Sequence, residues 1–318
     1  MSVIRYATVL MMMLIASGVI AESMAPAADN ISGEEVFRKC GYKYPGKDQV
    51  SRFTVLLRND DGQVKKSEYI RVWKDFDGID QIADKMLLFT IYPPDAKGAS
   101  FMRVAYTKEQ QYKVDQWIYL PVLKKIRRVT VRDPGDSFLN SNLTYADVAM
   151  RALEDDTHKL LGVKKVKDLE FYVVESIPRE TKPLYSKRVF WFEKTVDWKD
   201  CSNVRIDYYD TKGELQKEQF IKWQRVGDAW IWDRVLVRNR QNQSASVFEL
   251  SGVRINTGIR EDVFSERSLV QGLKLEGGGE DSPASREDGK KGEGTGDVPA
   301  AAVTNNVLDG SAEGAARK

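Results

Sequence analysis

The 318-residue sequence predicts a mainly β fold, and three observations support this prediction. Segments in which apolar and polar residues alternate recur from about residue 50 to residue 256, as is typical of β-strands. Turn sequences such as Asp61-Gly62 and Thr211-Lys212-Gly213 separate these segments. Almost no helical periodicity lies between them. Short connections favour antiparallel neighbours, because a parallel pair needs a crossover of about a dozen residues or more.

The strand segments follow one another in two runs. The first contains residues 50–59, where Phe53, Val55 and Leu57 share one face, and continues through residues 64–76, 85–92, 100–107, 116–120 and 124–132. The second run extends from residue 159 to residue 256. We expect about eleven or twelve strands in total. So many antiparallel strands in one domain must curl into a sandwich or into an open or closed barrel.

Helices are expected at only three places. Ser32 and Glu35 have the spacing of a capping box, which predicts a short helix over residues 33–40. Residues 133–150 interrupt the strand pattern, and residues 144–150 are expected to form one or two helical turns. A last short helix or turn is expected near residues 261–272.

The termini differ in composition from the region between them. Arg5 precedes an uncharged apolar run over residues 7–20, which is shorter than the roughly 20 residues of a spanning helix. We therefore predict a cleaved signal peptide over residues 1–21, with alternative cleavage after Ala25 or Ala27, and a linker over residues 22–31. The β domain is expected over residues 32–275 and a disordered tail rich in Gly, Glu and Ala over residues 276–318.

The sequence contains few residues of the types that catalyse reactions or bind metals. His158 is the single histidine and stands in a polar stretch after Asp155-Asp156-Thr157, and solvated side chains are expected for His158 and for the acidic doublet Asp155-Asp156. We predict that the protein is not an enzyme and has no metal or other cofactor. The net charge of +2 gives no indication of nucleic-acid binding. Cys40 and Cys201 either form a disulfide in an oxidising compartment or are two separate buried thiols.

Several strand segments are apolar on both faces, namely residues 117–120, 189–192 and 230–232. An antiparallel sheet with one solvated face would show clean alternation instead. The second face of these strands is therefore expected to be covered by helices, by a partner or by an apolar ligand.

Four motifs in order resemble those of the LolA-like outer membrane lipoprotein-sorting protein family. They are DQWIYLPVLKKIRRV at residues 115–129, DSFLNSNLTYADV at residues 136–148, the turn at residues 94–98 and the closing motif at residues 255–265. The resemblance covers roughly residues 35–273. Asn140 stands where the family usually has Gly, and Asn tolerates a left-handed backbone better than most residues. Asn142 and Ala146 replace positions that are commonly acidic.

The resemblance implies a strongly curved antiparallel sheet, a half-open β-barrel, with short helices as a lid over a hydrophobic cavity. It implies a periplasmic carrier or chaperone for lipid or for lipoprotein acyl chains, acting in outer membrane biogenesis and expected to be monomeric. An RND-type inner-membrane exporter and an outer-membrane acceptor are the implied partners. Two alternatives remain: a regulatory module that senses lipid or lipoprotein, and an accessory subunit of an RND-type lipid exporter.

Strand aromatic and aliphatic residues are the candidates for the cavity. From alternation alone these are Phe53, Val55, Leu57, Trp73, Trp117, Tyr119, Trp191 and Trp232. The basic residues Lys124, Lys125, Arg127 and Arg128 are candidates for the cavity rim, in contact with anionic head groups or an acidic partner. Alternation places Lys124 with Arg128 and Lys125 with Arg127, so one pair should lie near the rim or under residues 133–150. The alternative is a solvated strand edge.

Overall fold

The structure is a computed structural model that describes residues 31–129 and 133–272. The expected signal peptide, nearly all of the linker and the tail lie outside the described residues. Apart from Ile31, the described residues lie within the range in which the β domain is expected.

The described chain forms thirteen strands, slightly more than the eleven or twelve that the sequence predicts. The strands of the first half are β1 (Asp48–Arg58), β2 (Val64–Asp75), β3 (Ile82–Tyr92), β4 (Ser100–Tyr106), β5 (Val114–Leu120) and β6 (Lys125–Val129). Those of the second half are β7 (Asp156–Val166), β8 (Leu169–Pro178), β9 (Lys187–Glu193), β10 (Asn203–Tyr209), β11 (Leu215–Val226), β12 (Ala229–Asn239) and β13 (Ala245–Ile255).

All thirteen strands belong to one antiparallel sheet with the order β6-β5-β4-β3-β2-β1-β13-β12-β11-β10-β9-β8-β7. The chain starts in the middle at β1 and proceeds strand by strand to the edge at β6. It then passes to the opposite edge at β7 and returns to β13, which pairs with β1. The mainly β, antiparallel prediction is confirmed. We call residues 133–155, which connect the two halves, the crossover segment.

Three short helices form where the sequence predicts them: α1 (Gly33–Cys40), α2 (Tyr145–Val148) and α3 (Glu266–Gln271). The Ser32 hydroxyl accepts a hydrogen bond from the Glu35 backbone N–H at 3.1 Å and caps α1. Thr144 and Asp147 form a complete capping box at α2. In the crossover segment Asn140 has φ 57°, the left-handed conformation expected of an Asn at a Gly position.

The two faces of the sheet are covered by different segments. We call inner face the one that carries Phe53 and Val55, because the crossover segment packs on it through Leu139, Leu143 and Val148. Helix α1 covers the same face near β7–β9, where the Phe37 ring lies 4.7 Å from that of Phe190.

The opposite, outer face of β1–β6 is covered by the C-terminal segment. Ile259, Phe264 and Leu269 pack there on a buried cluster that includes Val72 and Leu87. The carboxylate of Asp48 fastens this segment to the start of β1, because it accepts hydrogen bonds from the backbone N–H groups of Thr257, Gly258 and Ile259. These contacts place the closing motif of residues 255–265 directly beside the start of β1.

Candidate functional site

An apolar patch on the central strands dominates the inner face. The ring centroid of Phe53 lies 5.8 Å from that of Tyr69, 5.9 Å from Trp232 and 6.1 Å from Phe248. The buried members of this patch come from β1, β3, β12, β13 and the crossover segment. They are Phe53, Val55, Leu88, Leu143, Ala229, Ile231, Val235, Val237, Phe248 and Leu250. The apolar side chains of the crossover segment, among them Leu139, Leu143 and Val148, cover this patch.

Hydrogen bonds fix the crossover segment over this patch. The backbone N–H of Asn142 donates to the Ser246 hydroxyl at 3.0 Å, and its carbonyl accepts from Lys217 Nζ at 2.9 Å. The Ser244 hydroxyl donates to the side-chain oxygen of Asn142 at 2.9 Å. The segment thus contacts β11 and β13 through polar groups and the patch through apolar ones.

A buried ion pair joins α2 to the sheet. Lys217 Nζ lies 2.5 Å from Asp147 Oδ2, and the two side chains are 3% and 0% exposed. Desolvation lowers the pKa of Lys217, while the charge of Asp147 opposes that change. The Tyr185 hydroxyl donates to Asp147 at 3.3 Å, and burial followed by the charge of Asp147 raises the pKa of Tyr185. Asp147 is therefore the anchor of this end of the crossover segment.

A second polar network lies where the crossover segment enters β7, and it corrects two expectations. Asp156, expected to be solvated, is buried and accepts from Arg151 at 2.7 Å and from Arg188 at 2.6 Å. His158, also expected to be solvated, is half-buried. Its ring nitrogens lie 2.8 Å from Ser176 Oγ and 3.0 Å from the Leu153 carbonyl. Desolvation lowers the pKa of His158. Asp156 and His158 lie on the face of β7 that the sheet turns inward, and Phe37 of α1 packs on His158. Which face of a strand is covered is not visible in the local sequence.

The eight cavity candidates divide between the two faces. Phe53, Val55, Leu57, Trp73 and Trp232 lie on the inner face. Trp117 and Tyr119 lie on the outer face, against the cluster that α3 covers. Trp191 also lies on the outer face, where its indole N–H donates to Asp207 at 3.1 Å. Alternation within a strand does not fix which face a different strand buries, so the sequence grouped residues that the pairing register separates.

The basic candidates lie at the edge strand β6 and are all exposed. Lys125 and Arg127 pair with Leu120 and Ile118 and share the inner face with them. Arg128 lies on the outer face and forms an ion pair with Asp115. Lys124 precedes the strand with φ 50°, so its expected pairing with Arg128 on one strand face is wrong.

Buried polar residues that the sequence did not single out lie beside the apolar patch. Arg71 on β2 and Gln49 on β1 are buried on the inner face, and Arg71 donates to the Gln49 side-chain oxygen at 2.6 Å. The sequence does contain a signal for this burial. Gln49 and Arg71 occupy positions that alternation assigns to the same face as Phe53 and Tyr69.

Comparisons with known structures define the fold class. A Vibrio parahaemolyticus domain named for outer membrane lipoprotein sorting is 23% identical with a TM-score of 0.62, and the match covers 75% of this chain and 98% of that one. A DUF1329 family protein from Desulfovibrio piger is 24% identical with a TM-score of 0.61, covering 70% and 92%. A LolA superfamily protein from Nitrosomonas europaea is 14% identical with a TM-score of 0.53, covering 74% and 99%. The protein has the LolA-like fold, which confirms the resemblance inferred from the motifs.

The family itself follows from the sequence match. The model of a family described as "-like: Uncharacterized protein" matches residues 83–271, more than half of the chain, and the chain belongs to that family. No curated protein sequence matches the chain significantly. Within residues 31–129 and 133–272, no helix is both long and apolar enough to cross a membrane.

Proposed function

We propose that the protein is a periplasmic carrier that binds the acyl chains of a lipid or lipoprotein on the inner face of its sheet. The observation that carries this proposal is the apolar patch around Phe53 and Phe248. The crossover segment covers this patch with apolar side chains of its own. The crossover segment is joined to the sheet by side-chain contacts and not by a β ladder, so it can be displaced as a unit without breaking the sheet.

Binding would be a matter of apolar burial. Each CH₂ group removed from water contributes about 0.8 kcal/mol, and this gain opposes the cost of displacing the crossover segment. Release requires that the segment return or that an acceptor bind the chain more tightly. The outer-membrane lipoprotein-sorting name of one structural neighbour supports a lipoprotein or lipid cargo. The proposal also includes an RND-type inner-membrane exporter as the donor of the cargo to this protein.

Two matched tryptophan variants test the proposal. Trp232 lies on the inner face beside Phe53, and Trp191 lies on the outer face. We expect Trp232→Ala to weaken binding of a neutral acyl-like fluorophore, N-phenyl-1-naphthylamine, about tenfold, since about 1.4 kcal/mol of contact is lost. Trp191→Ala should leave the affinity within twofold.

Native mass spectrometry of the protein purified from a membrane-containing lysate gives an independent test. Co-purifying amphiphile is the expected result. A wild-type protein that carries no amphiphile and does not bind the fluorophore would refute the carrier proposal.

A further inference from the structure

A cluster of buried polar side chains lies on the inner face of β1–β5, and the ion pairs and caps described above do not involve it. We call it the Arg71 cluster. Its members are Gln49, Ser51, Arg71, Asp84, Arg103 and Gln116. The register brings them together in adjacent rows: Ser51 pairs with Arg71, and Arg103 pairs with Gln116.

The hydrogen-bonding capacity of Arg71 is largely unused. Arg71 is only 9% exposed, and its guanidinium group has five N–H donors. Among the described residues its one hydrogen-bond acceptor is the neutral side chain of Gln49, at 2.6 Å, and no carboxylate lies within ion-pair distance. Buried arginines are normally paired with an anion, because desolvating an unpaired charge is costly.

Three residues of the cluster contain buried polar atoms without a hydrogen-bond partner in the described structure. They are Ser51 Oγ, Arg103 Nε and Gln116 Oε1. Ser51 is 0% exposed and pairs with Arg71 in the register, so bulk solvent does not reach the hydroxyl beside this arginine. Buried groups without a partner are rare in folded proteins, and the Ser51 hydroxyl therefore favours a polar ligand at Arg71.

Arg71 has no counter-charge in contact with it. Arg103 forms an ion pair with Asp84, which pairs with Asp75 in the register. Among the described residues, neither carboxylate lies within ion-pair distance of Arg71. Burial, opposed by the charge of Asp84 and reinforced by that of Arg103, lowers the pKa of Arg71 to about 10. Arg71 is therefore complementary to a single negative charge.

Apolar residues adjoin the cluster on the side of the inner-face patch. Arg71 pairs with Leu88, which belongs to the patch together with Phe53 and Tyr69. A ligand that placed an anionic group at Arg71 would therefore lay an attached apolar chain over Leu88 and towards Phe53.

We propose that the Arg71 cluster binds the anionic oxygen-bearing head group, a phosphate or carboxylate, of the amphiphile whose acyl chain lies on the inner-face patch. The inference rests on the proposed carrier function and adds the charge of the cargo and the residues that select it. Arg71 supplies the free donors, Arg103 on β4 is the second cation, and the Ser51 hydroxyl beside Arg71 is a neutral contact.

The first test uses wild-type protein and two probes that differ only in the head group. Displacement of N-phenyl-1-naphthylamine is measured at pH 7.5 with dodecyl phosphate and with dodecanol. We expect dodecyl phosphate to bind at least tenfold more tightly, as a charge-assisted hydrogen bond in a desolvated site implies. Equal affinities would overturn the inference while leaving the carrier proposal intact. If neither probe displaces the fluorophore and the fluorophore itself does not bind, the carrier proposal has failed.

Inorganic phosphate alone distinguishes a head group from a free anion. We expect millimolar phosphate to have no effect on fluorophore binding and to compete weakly with dodecyl phosphate. Phosphate that binds as tightly as dodecyl phosphate would show a site for a free anion and would overturn the amphiphile assignment.

A pair of arginine variants then assigns the selectivity. Arg71→Met should weaken dodecyl phosphate binding about tenfold and leave dodecanol binding within twofold. Arg254→Met, an exposed site on β13, removes the same charge and should change neither affinity. Unchanged discrimination between the two probes in Arg71→Met would overturn the inference. If that variant does not fold, the wild-type comparison decides alone.

Discussion

Single buried charges determine how firmly the crossover segment is held. Asp147 accepts hydrogen bonds from Lys217, from the Tyr185 hydroxyl and from the backbone N–H of Thr144, the last at 2.6 Å. One carboxylate therefore caps α2 and neutralises a lysine that the sheet buries. Its removal leaves that lysine without a counter-charge in a desolvated position.

We predict that Asp147→Asn lowers the free energy of unfolding by about 3 kcal/mol, measured by urea denaturation. The control is Glu34→Gln, which removes a carboxylate from the exposed Glu34–Arg38 pair on α1 and should change stability by less than about 0.5 kcal/mol. A double variant that also carries Lys217→Met should regain part of the loss. Equal effects of Asp147→Asn and Glu34→Gln would contradict the role assigned to Asp147.

His158 gives the stability a pH dependence at the entrance to β7. Desolvation lowers its pKa below the ordinary value of 6.5, so the folded protein binds fewer protons than the unfolded chain as the pH falls through that range. The contribution of neutral His158 to the free energy of unfolding is complete above about pH 6.5 and is lost as the pH falls below that value. We expect the unfolding free energy of the wild type to decrease between pH 7.5 and 5.5, and that of His158→Gln to decrease less. Parallel pH profiles of the two proteins would show that His158 is not responsible.

Among the elements, α1 depends on a long-range bond. In the structure Cys40 at the end of α1 forms a disulfide with Cys201, which precedes β10 and lies 161 residues later in the sequence. Phe37 packs from the same helix against Phe190 and Phe192. Eight residues are too few for a stable isolated helix, so the helix depends on this attachment.

The double variant Cys40→Ala/Cys201→Ala should lower the free energy of unfolding by about 2–4 kcal/mol. Hydrogen exchange should show loss of protection first in α1, while β1–β5 keep theirs. A reducing agent should reproduce the effect in the wild type and have no effect on the variant. If reduction leaves the wild-type stability unchanged, the two cysteines are not paired in solution.

Elements were predictable where the signal is local. The cap at Ser32 and the capping box at Thr144 and Asp147 mark helices that form as expected. The strands were predictable from alternation, because pleating puts alternate residues on opposite faces. The prediction that His158 is solvated was wrong, because α1 covers it. The prediction that Lys124 and Arg128 share a strand face was wrong, because Lys124 has a left-handed backbone before β6 begins. Neither feature is a property of the local pattern.

At the scale of the whole molecule, the crossover segment covers the inner face without joining a strand ladder of the sheet. It connects opposite edges of the sheet, with polar contacts from Asn142 to Ser244, Ser246 and Lys217. The strands beneath it are joined to one another by β ladders.

Fixing this segment to the sheet should prevent ligand uptake. The Ser244 hydroxyl lies 2.9 Å from the side-chain oxygen of Asn142. Asn142→Cys and Ser244→Cys, joined by a short thiol-reactive crosslinker, would therefore hold the segment in the position described. We expect the crosslinked protein to lose binding of N-phenyl-1-naphthylamine by at least tenfold. Each single variant treated with the same reagent should bind normally. Full binding by the crosslinked protein would mean that uptake does not require movement of this segment.

The sequence by itself determined the fold class, the antiparallel connections, the three short helices and the resemblance that placed the chain among LolA-like folds, because these depend on residues close together in the chain. The tertiary structure decided which apolar residues share a face. Phe53 and Trp232 meet on the inner face and Trp117 and Trp191 lie on the outer one, since register between strands is set by long-range pairing. The same pairing brings Arg71 beside Ser51 and buries it without an anion, a feature that no stretch of sequence contains.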